Sequence, residues 1–134
     1  YAVADHLRAK GYEVQVREVS VRPSRSERKG YGDDEDLLFR AAWETDWRRV
    51  EVKGRTRDFP PWPHPTITVD RVKPDTPFAD YYVSVNDALD YMAVIDGKTS
   101  PYWSRKTIMD YGKGYDMEIW DCPIELVHFI PLRR

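Results

Sequence analysis

The chain has 134 residues, of which 33% are charged and 41% hydrophobic, with a net charge of −2, a size and balance that fit one domain, 1–134, able to bury an interior. It contains no run of about 18 apolar residues and no charged-then-apolar leader, so neither a membrane span nor a secretion signal is visible. A single cysteine, Cys122, excludes an intramolecular disulfide framework and a multi-cysteine zinc site and fits a reducing compartment.

The charge is uneven. Residues 1–57 carry 13 basic and 11 acidic side chains, and the remainder carry 8 and 12. Arg48, Arg49, Lys53, Arg55 and Arg57 crowd one strand and its exit, while Arg22, Arg25, Arg28 and Lys29 fill the preceding connection. Local charge of this kind can attract a polyanion despite an acidic total.

Val3, Leu7 and small alanines recur at helical spacing over residues 2–10, and Gly11 marks a stop before the strand Tyr12–Val16. Because residue 1 is Tyr and falls inside this pattern, the natural protein is expected to begin earlier, with the first helix truncated here. Residues 22–35 are almost free of apolar side chains and read as a solvated loop. Asp36–Trp43 reads as a buried strand, Glu44–Asp46 as a turn, and Trp47–Lys53 as the antiparallel partner. That hairpin sets Asp36 close to the level of Lys53 and Gly54, within reach of Glu51, although a one-residue slip would move it to the other face.

Four prolines in residues 59–65 predict a stiff surface loop that presents Trp62 to solvent or a partner. Residues 66–73 read as a short helix ended by Pro74, with a strand as the competing reading because of their β-branched residues. Ala79–Asn86 and Tyr91–Gly97 read as strands joined by a short turn, completing a sheet of four or five. Residues 101–114 suggest another helix, followed by a strand around Met117–Trp120 and an extended Leu126–Leu132. Trp43, Trp47, Trp103 and Trp120 lie in apolar patterns that predict burial.

Chemistry concentrates in Val50–Arg55. Side chains at i and i+2 of a strand leave one face roughly 6–7 Å apart, so Glu51 and Lys53 can converge on one small group while Val50 and Val52 enter the core. Two carboxylates, Asp36 and Glu51, with a backbone carbonyl form an all-oxygen set suited to Mg²⁺, and Lys53 is placed to orient an attacking water and offset charge on a phosphate. The bland reading of Glu51 and Lys53 is an ion pair on an exposed sheet. His6, His64 and His128 show no metal-ligand spacing.

Asp36 and Glu51-Val52-Lys53-Gly54-Arg55, after a helix–strand opening, resemble the PD-(D/E)XK nuclease superfamily of restriction-endonuclease-like and Holliday-junction-resolvase-like enzymes. The resemblance covers roughly residues 2–96 and departs from the family name at Glu35, which stands where that name has Pro. It implies an α/β fold with an αβββαβ core, a mixed central sheet of four to five strands flanked by helices. It further implies that Asp36 and Glu51 ligate Mg²⁺ (or Mn²⁺), with the Val52 carbonyl as a further ligand, and that Lys53 serves the nucleophile. Lys73 matches the Gln or Lys that approaches the site from a helix in many relatives, and Asp33 or Asp34 could replace Asp36.

The expected function is a Mg²⁺-dependent nuclease, most naturally a DNA endonuclease in the cytoplasm of a bacterial, archaeal or phage-infected cell, with Arg55, Arg57 and Lys73 on the nucleic acid. A two-fold dimer is compatible with it. The alternative is a nuclease-like module without cleavage activity that binds DNA or docks a protein through the 59–65 loop.

Overall fold

A computed structural model describes residues 2–17, 35–54, 58–110 and 114–132. Helix α1 (Ala2–Ala9) leads into β1 (Glu13–Arg17), β2 (Glu35–Arg40) and β3 (Arg48–Gly54). Then follow β4 (Thr66–Arg71), β5 (Tyr81–Val85), β6 (Tyr91–Asp96), β7 (Ser104–Asp110), β8 (Tyr115–Pro123) and β9 (His128–Pro131). A six-stranded mixed sheet runs β1-β2-β3-β5-β6-β9, and a three-stranded sheet runs β4-β8-β7.

The expected α/β fold with an αβββαβ core is overturned. Among the described residues α1 is the single α-helix, and the sheet has six strands rather than four or five. Thr66–Arg71 is strand β4, because its alternating Ile67 and Val69 pair with β8 and bury, so the competing reading of 66–73 holds and the helix does not. Ser104–Asp110 is also a strand, paired with β8 from Ser104↔Asp121 to Asp110↔Tyr115. Its side chains are largely exposed, so no buried face announced it. The parallel neighbours β3 and β5 are therefore joined through a strand of the second sheet, where the expected core has a helix.

Each face of the large sheet has its own core. Val3 and Ala4 of α1 pack with Leu37, Phe39, Val50, Val52 and Val83 on one side. On the other, Tyr82, Ala93 and Ile95 pack with Ile67, Val69 and Cys122 of the small sheet. The proline-rich segment contributes Phe59, among the largest fully buried side chains. Trp62, expected to be exposed, is half-buried against that core and donates its indole N–H to the Thr66 carbonyl at 2.9 Å. Trp43, expected to be buried, is 87% exposed on the β2–β3 turn, whereas Trp103 is buried as expected. No helix among the described residues is long and apolar enough to cross a membrane.

Candidate metal and phosphate site

The β2–β3 register places Asp36 directly across from Glu51, two positions from the expected level of Lys53. One cross-strand row then runs Arg17, Asp36, Glu51, Tyr82, Ile95 over β1, β2, β3, β5 and β6. The row passes from charged at the sheet edge to apolar at the core. Glu51 stands at the change of character, half-buried, while its neighbours Val50 and Val52 point to the helix side. Val52 lies between Glu35 and Val83 in the middle of the ladder.

The small sheet supplies the residue that sequence reasoning missed, Asp70. Strand β4 carries an irregularity between Thr68 and Asp70, where Thr68 pairs with Asp121 and Asp70 with the adjacent Trp120. An extra residue in a strand breaks the alternation of faces, so consecutive Val69 and Asp70 are both buried. Asp70, only 6% exposed, meets Glu51 carboxyl to carboxyl. Lys53 Nζ lies 3.1 Å from Asp70 Oδ1, and Lys73 Nζ lies 3.0 Å from Oδ2 and 3.7 Å from Glu51 Oε2. Arg49 Nη2 approaches Glu51 Oε1 at 3.8 Å.

Lys73 therefore reaches the site as expected, but from the loop after β4 rather than from a helix. A signal for Asp70 did exist in the β-branched run Thr66–Val69, but the bulge that turns its side chain inward has no mark in the sequence. Arg55 and Arg57, with Asp33, Asp34, Arg22, Arg25, Arg28 and Lys29, fall outside the described residues.

The electrostatics separate the two carboxyls. Burial, reinforced by the Asp70 charge, raises the proton affinity of Glu51 above the ordinary Glu value. Asp70 is held below its ordinary value although burial opposes this, because Lys53 and Lys73 favour its charged form. Burial pushes the nearby Tyr82 phenol up to about 12, so it stays protonated at neutral pH.

No three His, Cys, Asp or Glu side chains among the described residues are grouped as a metal site. A hard divalent ion such as Mg²⁺ nevertheless binds commonly through one or two carboxylates and keeps several waters. Glu51 and Asp70 supply such a pair, with Asp36 next to Glu51 on the same face. Lys53, Lys73 and Arg49 stand against Glu51 and Asp70, so cationic groups that can meet a phosphate lie beside the acids. Comparison with family models, curated proteins and solved structures finds no match.

Proposed function

We propose that the chain is a Mg²⁺-dependent phosphodiester hydrolase acting on nucleic acid, with DNA as the favoured substrate. The observation that carries the reading is the Glu51–Asp70 carboxyl pair with Lys53 3.1 Å from Asp70 and Lys73 bridging both acids. A fold gains little from two acids side by side in a half-buried place, whereas a site for a divalent ion and a phosphate requires them.

In this reading Glu51 and Asp70 would hold the metal, with Asp36 across the strand pair from Glu51. A bound Mg²⁺ would supply Lewis acidity and activate water for the hydrolysis. Lys53 offsets the charge that builds on the phosphate oxygens and orients the attacking water. Lys73 and Arg49 retain the anionic strand beside the acids. Because Glu51 has a raised proton affinity, a metal bound there would displace a proton from it below its folded value and none once pH has risen above it. The free, buried thiol of Cys122 accords with a cytoplasmic setting.

A cleavage panel of single-stranded, duplex and branched DNA and of RNA, run with Mg²⁺ and with Lys53→Ala as control, tests the reading. Cleavage that needs Mg²⁺ and disappears in Lys53→Ala supports it, as does Ca²⁺ that permits binding with little turnover. Cleavage of equal rate in the variant would overturn it. Titration calorimetry with Mg²⁺ and Mn²⁺ distinguishes a non-cleaving module, in which Asp70 is already occupied by its two lysines and no metal heat appears.

A further inference from the structure

The acid–lysine cluster borders a small cleft lined also by Arg71, Thr76, Pro77 and three aromatic rings. Glu51, Asp70 and Lys73 line it together with Phe78, Tyr82 and Trp120. The small sheet presents a second cross-strand row here, Asp70, Trp120 and Arg105 on β4, β8 and β7. Arg105 lies 5.5 Å from the Trp120 ring centroid, held by Glu118. Phe78 packs edge-on against Trp103 at 5.1 Å and Trp120 at 5.8 Å, yet remains 46% exposed.

Burial would be the expected fate of a phenylalanine in contact with two tryptophans. Its loop is instead fixed so as to hold the ring at the rim. Arg49 Nη2 donates to the Pro77 carbonyl at 2.8 Å, and the Thr76 N–H donates to the Lys73 carbonyl. On the other side of the ring the backbone of Ala79 and Asp80 is pressed against Gly97, where an added Cβ would fall 2.1 Å from the Ala79 oxygen. The indole N–H of Trp62 bonds to Thr66 and that of Trp103 to Thr99.

Given the phosphodiester reading above, on which this rests, we infer that Phe78 is a stacking platform for an unpaired nucleobase adjoining the phosphate held at Glu51, Asp70, Lys53 and Lys73. The ligand class is single-stranded nucleic acid, or a strand locally unpaired, with little preference for sequence, since every base offers a π-face. A paired base in a duplex keeps its faces inside the stack and cannot reach the ring. Lys73 and Lys53 beside the aromatic rings match the alternation of phosphate and base along a single strand.

Binding measured by fluorescence anisotropy in Ca²⁺ at fixed salt tests this with three labelled probes of one length: oligothymidylate, an abasic deoxyribose-phosphate strand and a duplex. Oligothymidylate is expected to bind about 5- to 100-fold tighter than the abasic strand and tighter than the duplex. Phe78→Ala should abolish the advantage over the abasic strand while leaving abasic binding unchanged, and Phe78→Tyr should retain it. Equal binding of base-bearing and abasic strands, equal loss of both in Phe78→Ala, duplex binding as tight as single-strand binding, or no binding to any probe would overturn the inference. Cleavage is read separately: no Mg²⁺-dependent cleavage of any probe by the parent protein, with base-dependent binding intact, removes the hydrolytic reading and leaves the base site standing.

Discussion

Two buried polar clusters flank the middle of the large sheet, and they are built on opposite principles. At the end of β5, the Asn86 amide donates to the Phe59 carbonyl at 2.9 Å and to Asp90 at 2.6 Å. Its oxygen accepts from the Asp90 and Tyr91 N–H groups at 3.0 and 3.1 Å. The Asn86 amide has both its N–H side and its oxygen satisfied within the cluster, and the proline-rich segment is tied to the β5–β6 turn. At Glu51 and Asp70 two acids face each other and Glu51 is pushed toward its protonated form. The first cluster is closed by hydrogen bonds, whereas the second brings two acids together among lysines, the arrangement on which the proposed metal and phosphate site rests.

The largest contrast lies in activity. Glu51→Gln and Lys53→Ala are each expected to lower Mg²⁺-dependent cleavage by about 100-fold or more, measured as initial rate per folded molecule. Glu51→Gln should melt no lower than the parent, since the change removes a like charge from a half-buried place. A fall in melting temperature comparable to that of a core variant would make Glu51 a structural residue and erase the contrast.

Asn86→Ala should behave in the reverse sense. Loss of its amide strands the Phe59 carbonyl and two backbone N–H groups, destabilising the chain by about 2–4 kcal/mol, read from denaturant midpoints, with cleavage per folded molecule retained. Gly97→Ala forces the Ala79 backbone away from β6 and should cost about 1–3 kcal/mol, weakening base-dependent binding as well because the Phe78 loop shifts with it.

The smallest effect is the pH dependence of stability. The raised proton affinity of Glu51 contributes stability that is complete below its ordinary value of 4.5 and is lost as pH rises through the higher folded value. Asp70 contributes in the opposite direction, fully above its ordinary 3.8 and lost as pH falls through the lower folded value. Unfolding midpoints between pH 3 and 8 should therefore show a decline above 4.5 from this pair that Glu51→Gln flattens and saturating Mg²⁺ opposes. An identical profile in the variant would place the decline elsewhere.

Much of the site was legible because it depends on short-range geometry. Glu51 and Lys53 share a face by the period of a strand, and the hairpin around Glu44–Asp46 does bring Asp36 beside Glu51. The error of two positions in level reflects the turn, since Glu44 accepts the Ala41 N–H at 2.8 Å and tightens the chain there. Asp70 was missed for a different reason. Its burial depends on a bulge opposite Trp120 in β8, some fifty residues away in the chain, and no local pattern encodes that partner. The same distance hid β7, whose exposed face gives no alternation of burial and whose identity as a strand comes from pairing with β8.

The sequence by itself determined the charged strand Val50–Gly54, its antiparallel neighbour and the face on which an acid and a lysine emerge, because backbone period and turn chemistry are local properties. That a second sheet closes over that face, with Asp70 and Lys73 completing the cluster, follows from long-range pairing alone. So does the place of Phe78, half in water beside them. Those outcomes depend on which distant strands find one another, and strand pairing is set by the burial of whole sheets rather than by any one segment.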